Sequence, residues 1–274
     1  MGRLDGAIAI VTGGSRGIGK GCALELGAAG ATVYVTGRTQ TEGDAPLPGT
    51  VSGTAEEIVN AGGRAEAVRC DHGDDEAVRA LFDRVAKDSG RLDILVNNAF
   101  SIPPELTSRK PFWQCPISNW DDMINVGTRS AYVASHFAAK VMTAQRSGLI
   151  ANISSSGAAE YAWHVAYGVG KAALDRITAD TAHELRPHGV SVVSLWPGLV
   201  LTERTTRARE ALPELDFEGA ESQRFTGRAV VALAADPEVL ARSGGVYTSR
   251  ELADAYSFRD IDGSLPKGPL HDRP

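Results

Sequence analysis

A doubly wound α/β fold is what the sequence predicts, with one parallel sheet of seven strands and helices on both faces. Three observations carry this. Short β-branched runs alternate with longer helical stretches along the 274 residues. Several of the short runs, such as "AIAIV" and "VSVVSL", are continuously apolar, as strands buried on both faces are. The first run leads directly into a glycine cluster, "TGGSRGIG", that opens a helical stretch.

The elements follow in order. The first strand is 7–11 and the first helix 17–30, closed by Gly30. "TVYVT" (32–36) is the second strand. A turn-rich loop, "TEGDAPLPGT" (41–50), separates it from a helix at 54–62 that ends on Gly62. The third strand is "AEAVR" (65–69). The helix at 74–90 after it repeats apolar residues at helical spacing, through Val78, Leu81, Phe82 and Val85, and stops at Gly90. "LDILV" (92–96) is the fourth strand. Behind it come a long proline-rich loop, 100–118, and one long helix, 120–145. The last three strands are "LIANI" (149–153), "VSVVSL" (190–195) and "GVYTS" (245–249), with a helix at 166–187 after the first of them. Such alternation implies right-handed crossovers and a ligand crevice beyond the carboxyl ends of the strands. The region 203–226 reads as an irregular substrate loop and 260–274 as a loosely structured tail. Nothing resembles an interdomain linker, so residues 1–274 are expected to form one domain.

Composition excludes several classes. Hydrophobic residues make up 43% and charged residues 23%, ordinary for a globular protein. The net charge of -6 offers no basic surface to nucleic acid. Cys22, Cys70 and Cys115 lie far apart with no CxxC pair, which reads as reduced thiols and neither disulfide nor metal site. No apolar run approaches the about 18 residues of a membrane helix, and the N-terminus lacks a cleavage signal. The expectation is a cytoplasmic protein with no membrane, nucleic-acid or metal partner.

The loop "TGGSRGIG" sits where a dinucleotide needs it, between strand and helix. Gly13, Gly17 and Gly19 permit a tight turn and close approach of backbone to a pyrophosphate, which the helix N-terminus favours. An NAD site usually has an acid after the second strand for the ribose 2′-hydroxyl. Here Thr36 and Gly37 are followed by Arg38, and no carboxylate appears before Glu42. A guanidinium suits a 2′-phosphate by charge and geometry, and Arg16 is a second candidate. NADP(H) is therefore preferred over NAD(H).

In "AYGVGKAA", Tyr167 and Lys171 stand four residues apart, on one helical face. A tyrosine beside a cation can lose or gain a proton nearer neutral pH. These residues, with the glycine loop, resemble the short-chain dehydrogenase/reductase family and its Rossmann fold. "TGGSRGIG" is similar to the family's TGxxxGxG, "NNA" (97–99) to its segment after strand four, and "PGLVLT" (197–202) to its nicotinamide-flanking stretch. The resemblance implies Asn125, Ser154, Tyr167 and Lys171 as the catalytic set. Tyr167 would be the acid/base, Lys171 would hold the nicotinamide ribose, Ser154 the substrate oxygen, and Asn125 a proton-relaying water. The family's serine lies thirteen residues before its tyrosine, which selects Ser154, with Ser155 as the alternative. The implied cofactor ligands are Gly13, Ser15, Arg16, Gly17, Ile18, Gly19, Arg38, Asp71 (at the adenine), Asn98, Ala99, Tyr167, Lys171, Pro197, Gly198, Val200 and Thr202.

Two residues depart from the pattern. Phe100 replaces the glycine of the family's NNAG, placing an aromatic ring at the edge of the substrate space. His72 follows Asp71 where an aliphatic residue is usual. The segments "NNAF", "YGVGKAA", "AHELRPHGVS" and "SLWPGLV" look most like one group of the family, which also has an aromatic residue after NNA.

Loops 100–118, 155–165 and 203–226 should line the substrate pocket. They supply Phe100, Ile102, Phe112, Trp113, Tyr161, Trp163, Phe217 and Phe225, which suits a lipophilic carbonyl or alcohol. Phe100, Tyr161, Trp163 and His164 are the expected substrate contacts, while Arg109 and Lys110 read as a solvated turn. A four-residue Tyr–Lys spacing argues against an enoyl-thioester reductase. In the family the two long helices pair between subunits, which implies a homodimer or homotetramer.

Overall fold

The computed structural model describes residues 2–108, 110–211 and 217–269, so Arg109 lies outside the described residues. In chain order the elements are β1 (Ile8–Thr12), α1 (Gly17–Ala28), β2 (Thr32–Gly37), α2 (Val51–Asn60), β3 (Arg64–Arg69), α3 (Asp75–Ser89), β4 (Ile94–Asn97), α4 (Ser118–Met123), α5 (Ser130–Gln145), β5 (Gly148–Ile153), α6 (Val165–Leu185) and β6 (Val190–Trp196). There follow β7 (Val200–Leu201), α7 (Glu203–Ala211), β8 (Glu221–Ser222), α8 (Phe225–Ala234), β9 (Val246–Thr248) and α9 (Ser249–Tyr256). Seven strands form a parallel sheet in the order β3-β2-β1-β4-β5-β6-β9. The order reverses between β1 and β4, and the crevice of a doubly wound sheet opens beyond the carboxyl ends there.

The sheet divides two apolar layers. Ala9 and Val11 of β1 face Leu26, Ile58, Val230 and Leu252, from α1, α2, α8 and α9. Ile8 and Ile10 face Val78, Phe82, Ala138 and Met142, from α3 and α5. Successive strand residues point to opposite faces, so a strand apolar at every position serves both layers.

Local chemistry sets the helix ends. Asp74 caps α3, its carboxylate accepting from the Glu76 N–H at 2.9 Å, and Gly90 ends the helix at φ 67°. Thr50 caps α2 through the Gly53 N–H at 2.8 Å, which starts that helix three residues before the sequence suggested. Thr248 and Glu251 cap α9 reciprocally.

Two expectations are corrected. The helix expected at 120–145 is broken. Between α4 and α5 the segment Ile124–Arg129 forms a wide turn, with Val126 at φ −110°, ψ 84° and Gly127 at φ 164°, ψ −67°. The Ser130 hydroxyl accepts the Gly127 N–H at 3.0 Å, satisfying a donor that the break frees. The described part of the tail is also docked. Lys267 N–H donates to the Gly219 carbonyl at 3.1 Å, Arg250 Nη1 to the Pro266 carbonyl at 2.9 Å, and Pro266 and Gly268 are buried.

Candidate active site

The crevice floor is built by stapling the loop after β1 to the loop after β4. Thr12 Oγ1 accepts the backbone N–H groups of Asn98 and Ala99, both at 2.9 Å. Asn98 Nδ2 donates back to the carbonyls of Thr12 (3.0 Å) and Gly13 (3.1 Å). A Cβ on Gly13 would stand 2.9 Å from the Ala99 Cα, and one on Gly19 would collide with the Gly13 carbonyl. Both positions need glycine because backbone lies against backbone.

The head of α1 attracts an anion. The Gly17 N–H donates to a carboxylate oxygen of Glu203 at 2.9 Å, across the crevice from the start of α7. Arg16 is otherwise engaged: its Nε donates to the Pro48 carbonyl at 2.9 Å, and its Nη2 to those of Gly49 (2.6 Å) and Leu47 (3.2 Å). It anchors the turn-rich loop after β2. Arg38 stands exposed just after β2, and Asp71 is exposed shortly after β3. His72 is only 5% exposed and bonds Thr36 Oγ1 at 2.9 Å; burial pushes its pKa down to about 4, so it is a neutral core residue.

The tyrosine, the lysine and the serines meet where β5 gives way to α6. Tyr167 donates its hydroxyl to Ser155 Oγ at 2.9 Å. Ser155 is held by accepting the Gly157 N–H at 3.2 Å, and a Cβ on Gly157 would stand 2.7 Å from the Tyr167 ring. Ser154 is only 3% exposed; its hydroxyl donates to the Lys171 carbonyl at 3.3 Å and also bonds Asp175. Counting thirteen residues back selects Ser154, but the structure places Ser155 on the tyrosine. Ser155 caps the short helical turn at Ser156–Ala158, while Ser154 is buried. Against the lowering expected from a neighbouring cation, burial holds the Tyr167 hydroxyl above its ordinary pKa, with the Ser155 bond opposing.

Lys171 Nζ donates to the Ile153 carbonyl at 2.9 Å and lies 4.9 Å from the centre of the Phe100 ring and 5.7 Å from that of Tyr167. Burial brings its pKa down to about 8, opposed by the charge of Asp175 one turn along α6. Asp175 in turn accepts from Ser194 Oγ (2.6 Å) and Trp196 Nε1 (3.0 Å). The glycines of "AYGVGKAA" are spacers: a Cβ on Gly168 would meet the Gly157 carbonyl at 3.2 Å, and one on Gly170 would meet Thr128 Oγ1 at 3.1 Å.

Other expected positions fare differently. Asn125 is exposed, on the turn between α4 and α5, a segment that is tied to α6 by the Thr128 hydroxyl donating to the Gly170 carbonyl at 2.9 Å. His164 is buried and caps α6, its Nδ1 accepting the Ala166 N–H at 3.2 Å while its buried Nε2 has no hydrogen-bond partner among the described residues. Tyr161 and Trp163 are largely exposed, and Trp163 takes a left-handed φ of 62°. Pro197 and Val200 are buried, while Gly198 and Thr202 are partly exposed. Among the described residues no His/Cys/Asp/Glu group suits a metal, and no helix is long and apolar enough to cross a membrane.

Sequence reading missed Asp175 and Glu221. The i+4 spacing from Lys171 would have flagged the first. No local signal marks Glu221, whose partners are distant in the chain. It is fully buried, accepts the Gly198 N–H at 2.7 Å, and burial raises its pKa to about 8. Between about 4.5 and about 8 the unfolded chain ionises this group while the fold keeps it protonated, so stability falls as pH rises through that window. Urea midpoints at pH 5 and pH 8 are expected to fall for the native protein relative to Glu221→Gln. A difference between the two proteins that does not change with pH would show Glu221 is not neutral in the fold.

Fold and site define a nucleotide-dependent oxidoreductase class, and comparison with known proteins agrees. The family described as short chain dehydrogenase matches residues 7–213, and this chain belongs to it, a family of oxidoreductases that bind a nicotinamide cofactor. It is similar to dehydrogenase/reductase SDR family member 1 of Mus musculus (47% identity) and of Homo sapiens (46%), in each case across 95% of this chain and 85% of the relative. Among solved structures, a metagenomic short-chain oxidoreductase in complex with NADP matches with TM-score 0.70 and 31% identity, over 86% of this chain and 93% of that one. A short-chain dehydrogenase/reductase from Burkholderia xenovorans matches with TM-score 0.78 and 26% identity, over 90% of this chain and 96% of its own.

Proposed function

We propose that this chain is an NADP(H)-dependent carbonyl reductase or alcohol dehydrogenase for a lipophilic substrate, with Tyr167 as its acid/base. The observation that carries this is the Tyr167–Ser155 hydrogen bond at the crevice, with Lys171 one turn further along α6.

The residues present fit the nicotinamide cofactor: backbone glycines crowd the loop, and the N–H at the head of α1 already draws a carboxylate. When bound, the cofactor supplies or accepts the hydride. The protein handles the proton. In the reducing direction Tyr167 gives its hydroxyl proton to the oxygen that was the carbonyl, and the burial that raises its pKa keeps it a protonated acid until then. Ser155 donates a second hydrogen bond to the same oxygen, and the Lys171 charge stabilises the phenolate left behind. No step is assigned to Asn125 or to Ser154. Phe100 forms an apolar wall beside the tyrosine, with ring centres 5.8 Å apart. This wall supports a lipophilic substrate.

NADP over NAD is supported by Arg38, exposed at the end of β2 with no acid beside it on that strand's loop before Glu42. Arg16 keeps to the loop carbonyls, so Arg38 is the proposed 2′-phosphate ligand. Arg38→Ala is expected to raise the KM for NADPH at least tenfold, about 1.4 kcal/mol or more, and to leave that for NADH nearly unchanged. Equal effects on both would remove Arg38 from that role. Pairing of copies through α5 and α6 belongs to the same reading and is supported by exposed Tyr132, Val165 and Val169.

The function is tested by following NADPH absorbance across a panel of lipophilic ketones. A non-catalytic NADP(H) sensor would bind the nucleotide and turn over none of them.

A further inference from the structure

Phe100 and Gly127 face one another. A Cβ on Gly127 would stand 2.7 Å from the Phe100 ring, nearer than any settled contact. The ring fits because residue 127, at the break between α4 and α5, has no side chain. The ring also meets the Lys171 ammonium, 4.9 Å from the ring centre, and stands edge-on to Tyr167 at an interplanar angle of 77°. The Ser101 N–H holds the Val126 carbonyl at 2.8 Å, which fastens the two loops together at this point.

We infer that Phe100 is a positioning residue for the Lys171 ammonium, and that the glycine at 127 is the space that admits its ring. An ammonium over a ring face is attracted by the negative face of the π system, and a desolvated site strengthens the attraction. The titratable groups facing Lys171 are Tyr167 and Asp175, both on α6; from β5 it meets the Ile153 carbonyl and from the loop after β4 the Phe100 ring. The ring therefore favours the protonated lysine and fixes its place one turn from the tyrosine. Burial alone would make this ammonium easy to lose near pH 8.

This inference rests on Tyr167 and Lys171 acting as described above. It is tested with kcat–pH profiles for ketone reduction. Phe100→Leu keeps apolar bulk but removes the ring, and its alkaline limb is expected to move to lower pH by about one unit, the size of one cation–π contact. Phe100→Tyr keeps a ring face and should hold the native limb. Gly127→Ala must displace the ring, so it should reproduce the Phe100→Leu shift and add nothing in the double variant. NADPH affinity and thermal midpoint, read on the same samples, certify the fold. A native limb in folded Phe100→Leu and Gly127→Ala overturns the inference, as does an equal shift in Phe100→Tyr. If Tyr167→Phe is as active as the native protein, the catalytic reading itself fails, a result separate from these.

Discussion

Replacing Tyr167 with phenylalanine is expected to lower kcat for ketone reduction about a thousandfold, within the range a single general acid contributes. The substitution removes one oxygen and little else. The ring keeps its packing against Phe100 and Gly157, and only the bond to Ser155 is lost, about 1 kcal/mol of stability. The KM for NADPH and the thermal midpoint should therefore change little while kcat collapses. That split separates chemistry from binding. Stopped-flow loss of NADPH absorbance in a single turnover reads it directly. If single-turnover rates for the variant equal the native rates, the proton comes from elsewhere.

The second large effect distinguishes two adjacent serines. Ser155→Ala is expected to cost about a hundredfold in kcat, since it removes a donor to the developing oxyanion and the partner that aims Tyr167. Ser154→Ala should act mainly on stability. Its hydroxyl is buried between the Lys171 carbonyl and Asp175, and removing it leaves one buried acceptor without its donor, about 1–3 kcal/mol. Paired measurements of kcat and urea midpoint on both variants decide the matter. A dead Ser154→Ala beside an active Ser155→Ala would restore the choice that counting residues makes.

That pair shows how far local sequence reaches. The interval between serine and tyrosine is a one-dimensional number, and one residue more or less in the turn at Ser156–Ala158 shifts which hydroxyl meets the tyrosine. Asn125 shows the same limit. It stands in a stretch that reads as continuous helix, yet the helix breaks at Val126 and Gly127, and the asparagine is left at the surface. The break is stabilised by Ser130 and by the loop that carries Phe100, neither of which local periodicity reports. The sequence offers Arg16 as a second candidate for the 2′-phosphate because its carbonyl partners lie some thirty residues further along the chain, in a loop without a helical or strand signal.

The sequence by itself determined the seven strands of the parallel sheet, the alternation of strands and helices through β4 and again from β5 to β6, the glycine cradle, and the Tyr167–Lys171 pair. These depend on periodicity, glycine placement and spacing within single elements, which a chain carries wherever it folds. Tertiary structure alone decided which serine meets the tyrosine, that His72 is a buried neutral residue, that His164 caps α6, that Glu221 is a buried acid under Gly198, and that Phe100 lies over Lys171. Each of these is a contact between segments far apart in the chain or across a loop of irregular geometry. Such contacts are fixed by burial and close packing in three dimensions, and no local pattern encodes them.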